Sequence, residues 1–199
     1  MKYVVGARGS KLSIAQTNWI VSELKKVNPD CEYEIKPITT KGDTDTRPLF
    51  AIDQKGIFEK EIDKAVAEKE IDFAVHSLKD VPSQLDDDLI IASVPKREIV
   101  NDVFISSDGS SLDKIKPNSV IGTSSLRRAV QVRRKRSDVT VKSIRGNIET
   151  RIKKISGDNY DAIVLAHAGI SRLGVDVTFT SLSTEDFSPS PGQGAIAIV

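Results

Sequence analysis

Tyr3-Val4-Val5-Gly6-Ala7-Arg8-Gly9-Ser10 reads as a short buried strand whose polar end opens into a helix. Tyr3 to Ala7 has the apolar run of a strand, and Ser10 is a residue type that caps helices. Beyond it Leu12, Ala15 and Trp19, continuing through Ile20, Leu24 and Val27, recur at helical spacing. Asn28-Pro29-Asp30 stops that helix, because proline cannot continue it and Asn and Asp favour turns. Glu32 to Ile38 alternates and predicts a second strand, and polar Thr39 to Arg47 predicts a loop. A helix follows from about Ile57 to Lys69, with Phe58, Ile62, Ala65 and Val66 on one face. The strand Ile71 to Val75 then runs into His76-Ser77-Leu78-Lys79-Asp80-Val81-Pro82. Strand, helix, strand, helix, strand is the alternation of a βαβ fold with a mainly parallel sheet.

After a charged connector, Pro95 to Asp102, the pattern restarts. Val103 to Ile105 and Ser119 to Ile121 read as strands, Leu126 to Arg136 as a helix, Val139 to Ile144 as a strand, Ile148 to Ile155 as a helix and Ala162 to Leu165 as a strand. Ser188-Pro189-Ser190-Pro191-Gly192 reads as a second connector. The expected architecture is two α/β halves joined by two crossings around a cleft, with ligands beyond the carboxyl ends of strands.

The 199 residues, 39% apolar and 29% charged, exclude a disordered chain. No apolar run approaches the roughly 20 residues of a spanning helix, and the early charges after Met1 do not resemble a signal peptide. One cysteine makes no internal disulfide, and with two histidines it makes no zinc site. A soluble, cytoplasmic protein without a metal or a membrane partner is expected. The net charge of +1 hides a segregation. From Arg127 to Lys154 eleven basic residues face two acidic ones, a net of +9, which leaves about −8 for the rest. The run Arg133 to Arg136 is of the kind that nucleic-acid binders carry. Residues 127–154 contain no Phe, Tyr or Trp on which bases could stack, so no nucleic-acid partner is expected.

Polar residues suited to anions gather at three strand ends. Arg8-Gly9-Ser10 offers a guanidinium, a hydroxyl and backbone N–H groups at a helix start. Gly122-Thr123-Ser124-Ser125-Leu126-Arg127-Arg128 offers three hydroxyls and two arginines. It is not a P-loop, whose glycine and lysine spacing is absent. Arg145-Gly146-Asn147 with Arg151 repeats the device, and arginine grips carboxylates in bidentate fashion. The same residues serve equally as helix caps on solvated basic faces. Asp80, among many cations beyond a buried strand, is suited to stabilising a developing positive charge or exchanging protons, or else forms a local pair with Lys79. His76 and His167 read as core or hydrogen-bonding residues, and Cys31 as a turn residue.

Ala7-Arg8-Gly9-Ser10, His76 to Pro82, Gly122 to Arg128, Ile144-Arg145-Gly146-Asn147 and Pro191-Gly192-Gln193-Gly194-Ala195 together resemble the porphobilinogen deaminase (hydroxymethylbilane synthase) family, in order and spacing, over essentially the whole chain. The resemblance implies an α/β fold of two type II periplasmic-binding-protein-like domains with mainly parallel, mixed sheets. Placed on this sequence, domain 1 is 1–95 with 190–199 and domain 2 is 99–187, with hinges near 96–98 and 188–190. It implies a monomeric transferase that condenses four porphobilinogen molecules, releasing ammonia from each, into hydroxymethylbilane. The primer is a dipyrromethane bonded to a cysteine.

By the match, Asp80 would stabilise the pyrrole nitrogens and move protons as the azafulvene cation forms and is attacked. Arg8, Ser10, Ser77, Lys79, Thr123, Ser124, Ser125, Arg127, Arg128, Arg145 and Gly146 would bind the cofactor. Arg8, Arg145, Arg151, Arg172 and Lys55 would bind substrate, Lys55 on a mobile loop where Ala51 replaces a second lysine of some members. The family continues past the residue at which this sequence ends, into a C-terminal domain that carries the cofactor cysteine, and Cys31 does not match that cysteine. The alternative is a non-catalytic two-lobed protein that binds a polycarboxylate or other anion.

Overall fold

A computed structural model describes residues 1–44, 59–157 and 159–199. Lys55 and Ala51 therefore lie outside the described residues, as does the start of the helix expected from Ile57. The chain divides into two compact units. Of the described residues, the first holds 1–44, 59–98 and 192–199, and the second 99–157 and 159–191.

In the first unit β1 (Lys2–Arg8) is followed by α1 (Lys11–Val27), β2 (Glu32–Ile38), a short α2 (Lys41–Thr44), α3 (Lys60–Ala67) and β3 (Phe73–Ser77), and β9 (Ile196–Ile198) returns from the far end of the sequence. The sheet order is β2-β1-β3-β9, with β2, β1 and β3 parallel and β9 antiparallel to β3. The expected β2 and the observed one coincide. By contrast β3 starts two residues later than periodicity indicates. Asp72 does not pair as a strand residue: its carboxylate accepts from the Val4 N–H at 2.6 Å while its own N–H donates to the Val4 carbonyl at 2.8 Å. The turn α2 also falls where a loop was expected.

The buried stripe of α1 is Ser13, Gln16, Thr17, Ile20 and Val21, whereas Trp19 and Val27, expected on the apolar face, are exposed. Ile20 and Val21 pack on Val5, Val75 and Ile196, while Ile62 and Ala65 of α3 cover the other face with Ile71 and Ala74.

The second unit contains β4 (Asp102–Ser106), β5 (Val120–Gly122), α4 (Leu126–Lys135), β6 (Thr140–Lys142), α5 (Ile148–Lys153), β7 (Ala162–Ala166), α6 (His167–Leu173) and β8 (Thr180–Ser181). Its order is β6-β5-β7-β4-β8, with β5 parallel to β6 and β7, and β4 antiparallel to β7 and β8. Phe104, Ile121, Val132, Val164 and Phe187 form one side of the core, and Val103, Ile105, Ile144, Ile163 and Leu165 the other.

The β6-β5-β7-β4 part repeats the topology β2-β1-β3-β9 of the first unit. The match reaches single residues. Asp161 accepts from the Val120 N–H at 2.6 Å and donates its own N–H to the Val120 carbonyl at 2.9 Å, as Asp72 does with Val4. In each unit the first parallel strand thus delivers a serine-capped helix to the carboxyl end of the sheet: Ser10 accepts from the Ser13 N–H, and Ser125 from the Arg128 N–H. Among the described residues no helix is long and apolar enough to cross a membrane.

Candidate anion-binding site

Because β1 and β3 are parallel, their carboxyl ends lie on one edge of the first unit's sheet. A pocket there is lined by Arg8, Ser10, Gln16, His76, Ser77 and Asp80, among others. Four expected site residues, Arg8, Ser10, Ser77 and Asp80, are thereby brought together. Arg8 is held at its backbone, where its N–H donates to Ser13 Oγ at 3.1 Å. Asp80 and Lys79 are exposed on the 3₁₀ turn Leu78–Asp80 that follows β3.

Gly192 braces this turn. Its φ is +71°, and a Cβ on it would meet the Leu78 and Lys79 backbone at 3.0 Å, so Gly192 fits against the turn only without a side chain.

Sequence reasoning missed Gln16. Its amide donates to Ser77 Oγ at 2.9 Å and ties α1 to the end of β3. The signal was present in the run of polar residues Ser13, Gln16 and Thr17 at helical spacing on what proves to be the buried stripe. His76 is buried, with Nε2 3.1 Å from Oδ1 of buried Asp63.

Cys31 stands immediately before β2, opposite the Met1 end of β1. It is separated from the Arg8 end by the length of the strand, roughly 20 Å at about 3.3 Å per residue.

In the second unit the hydroxyls after β5 are engaged locally. Thr123 Oγ1 accepts from the Ser125 N–H at 3.2 Å, and Ser124 Oγ donates to the Ile144 carbonyl at 2.6 Å and lies 2.9 Å from Ser143 Oγ. They pin the start of α4 against the end of β6 and leave the arginines as the charged groups at this junction.

Arg127 and Arg128 share one carboxylate, Asp102, the last residue of the expected charged connector, which is fully buried at the start of β4. Arg145 precedes Gly146, whose φ of +120° belongs to glycine, and a Cβ there would meet Thr150 Cγ2 at 2.9 Å. The turn lets Arg151 Nε donate to the Gly146 carbonyl at 2.7 Å.

Arg151 is the most telling of the cations. Burial, and then the charges of Arg128 and Arg145, pull its guanidinium below the usual arginine value. Among the described residues no carboxylate forms an ion pair with it. Arg128 is already paired with Asp102, so an incoming carboxylate would meet the positive charge of this cluster less that of the pair. Arg172 stands in the last turn of α6, about 8 Å of helix rise from its start.

A family model described as porphobilinogen deaminase, dipyromethane cofactor binding domain, matches residues 3–199. A protein of Nitrosopumilus maritimus (strain SCM1) named a probable porphobilinogen deaminase is 81% identical over all 199 residues, which are 64% of its length. The porphobilinogen deaminase of Listeria innocua serovar 6a is 48% identical over 203 residues, covering 99% of this chain and 65% of that protein. The chain thus spans a little under two thirds of the curated relatives it matches. Among solved structures, the methionine-binding protein MetQ aligns with a TM-score of 0.56 at 11% identity, over 100% of this chain and 82% of its own. The sulfate-bound OxyR2 regulatory domain of Vibrio vulnificus aligns with a TM-score of 0.52 at 10% identity, over 100% and 85%. The fold is that of type II periplasmic-binding-protein-like domains, with mixed sheets.

Proposed function

The chain belongs to the porphobilinogen deaminase family, and from that premise we propose that it is the part of such an enzyme that binds the carboxylates of cofactor and substrate and carries the proton-transferring Asp80. The full-length protein on this reading is a cytoplasmic, monomeric transferase that condenses porphobilinogen into hydroxymethylbilane with loss of ammonia. The observation that carries it is geometric: the parallel strands β5 and β6 bring Arg127, Arg128, Arg145 and Arg151 to one edge of the second unit's sheet, where Arg151 is turned to the Gly146 carbonyl, and such a cluster calls for an anion with several carboxylates.

A dipyrromethane fits this donor set, since its acetate and propionate groups match clustered guanidiniums better than a single phosphate does. In the second unit Arg145, Arg151, Arg127 and Arg128 would hold those carboxylates; in the first unit Arg8 and Ser10 are binding residues by the family match. When bound, it supplies the pyrrole onto which substrate units are added. Cys31, at the opposite end of β1 and β2 from Arg8, is not its attachment point.

Of the chain's own residues, Asp80 would accept hydrogen bonds from pyrrole N–H groups and, after the protonated aminomethyl group has left as ammonia and the new carbon–carbon bond has formed, would take up the proton lost from the ring carbon. Gln16 fixes Ser77 at the pocket edge. Arg172, Lys79, Thr123, Ser124, Ser125 and Gly146 complete the binding set, and Lys55 joins it by the family match.

The test is ammonia release from porphobilinogen by the full-length protein and its Asp80→Asn variant. Turnover in the wild type, and a loss of about 10²–10⁴-fold in the variant with anion affinity within threefold, is expected. No turnover in the wild type, with anion binding intact, would instead establish a binding protein.

A further inference from the structure

We infer that Asp102 is a positioning residue, a buried carboxylate that fixes the direction of two consecutive guanidiniums, Arg127 and Arg128, for gripping a polycarboxylate. The inference rests on the polycarboxylate reading above and adds to it a residue that itself touches no ligand. Asp102 opens β4 and is 0% exposed. Its Oδ1 accepts from Nε and Nη2 of Arg128 at 3.1 and 2.8 Å, and its Oδ2 lies 2.8 Å from Nη2 of Arg127.

Each guanidinium has a second anchor. Arg128 Nη1 donates to the Val164 carbonyl at 3.4 Å, and Arg127 Nη1 to the Ser188 carbonyl. Successive helix residues point about 100° apart, so one carboxylate reaching both side chains locks both relative to the first turn of α4. That turn is itself capped by Ser125.

The charges count in the same direction. Asp102 offsets one of the two positive charges it binds, so the trio remains cationic, and Arg145 and Arg151 add to it. An ordinary counter-ion would weaken anion binding by its negative charge. Asp102 strengthens it instead, because guanidiniums held at two points lose little side-chain freedom when a ligand arrives. The two effects have opposite signs, and this makes the role testable.

The experiment titrates tricarballylate, a small tricarboxylate, into the 199-residue chain by calorimetry, for the wild type, Asp102→Asn and Asp102→Glu. Far-UV circular dichroism first establishes which variants are folded. Asp102→Asn makes the site more positive and yet is expected to weaken binding tenfold or more. Asp102→Glu keeps the charge but moves it by a methylene, and is expected to weaken binding at least threefold. A folded variant that binds as tightly as the wild type, or more tightly, overturns the inference. Failure of both variants to fold overturns it too, since Asp102 would then be a residue of stability. A wild-type chain that does not bind tricarballylate refutes the polycarboxylate reading itself, a different result from unaltered variants beside a binding wild type.

Discussion

Replacing Arg151 by glutamine should separate stability from affinity. The folded chain holds this half-buried guanidinium against the charges of Arg128 and Arg145, with one bond to the Gly146 carbonyl at 2.7 Å as compensation. A hydrogen bond to a charged group contributes about 1.5–3 kcal/mol. The glutamine amide keeps part of that bond, while relief of burial and repulsion offsets the rest. Stability should therefore change by less than about 1 kcal/mol, or roughly 2–4 °C in melting temperature for a chain of this size. Binding has no such compensation. A lost guanidinium–carboxylate contact of about 1.5–3 kcal/mol corresponds to roughly 10- to 150-fold in the dissociation constant. Thermal unfolding without ligand and calorimetric titration of tricarballylate read the two quantities. A melting temperature lowered by more than about 8 °C, some 2–4 kcal/mol on the same scale, with unaltered affinity would show that Arg151 serves the fold, and would refute the reasoning.

Gly146→Ala forces a side chain into a φ of +120° and against Thr150, and urea unfolding should show a loss of about 2–4 kcal/mol. Ser125→Ala removes the cap of α4 and should cost about 1 kcal/mol by the same measurement. Asp138 is held below its ordinary value of 3.8, first by its hydrogen bond with Arg136. A carboxyl depressed in the folded state stabilises above its unfolded value and loses that contribution as the pH falls towards the folded one. The gap in melting temperature between wild type and Asp138→Asn should thus be full at pH 6 and close on titration below about pH 3.8. Alkylation of Cys31, at the far end of β1 and β2 from Arg8, should leave tricarballylate affinity within twofold.

The alternation in Tyr3 to Ile38 was enough to read a parallel βα unit, because strand and helix periods differ and Asn28-Pro29-Asp30 marks the boundary. Boundaries failed where a side chain replaces a ladder bond, as Asp72 does at Val4, and where a segment pairs with a distant strand. The short β9 has no periodicity of its own and is a strand only because β3 lies beside it. Likewise α6, with seven residues after a buried strand, shows no amphipathic repeat to read. At the site, strand-end arginines and hydroxyls stand out in a sequence, whereas their supports do not. Gln16 meets Ser77 across 61 positions, and Asp102 sits 26 from Arg128 at the end of a stretch that reads as a charged connector. Only the fold turns those distances into contacts. Charge segregation indicated an anion without indicating which arginines bind it and which are held by the protein.

The most direct test of the central claim is the intact mass, under denaturing conditions, of the full-length protein and of its Cys31→Ser variant. Both should be heavier than their sequences by the same two-pyrrole adduct, covalently bound at a thiol other than Cys31. A bare mass in both, or an adduct that disappears with Cys31, would contradict the account.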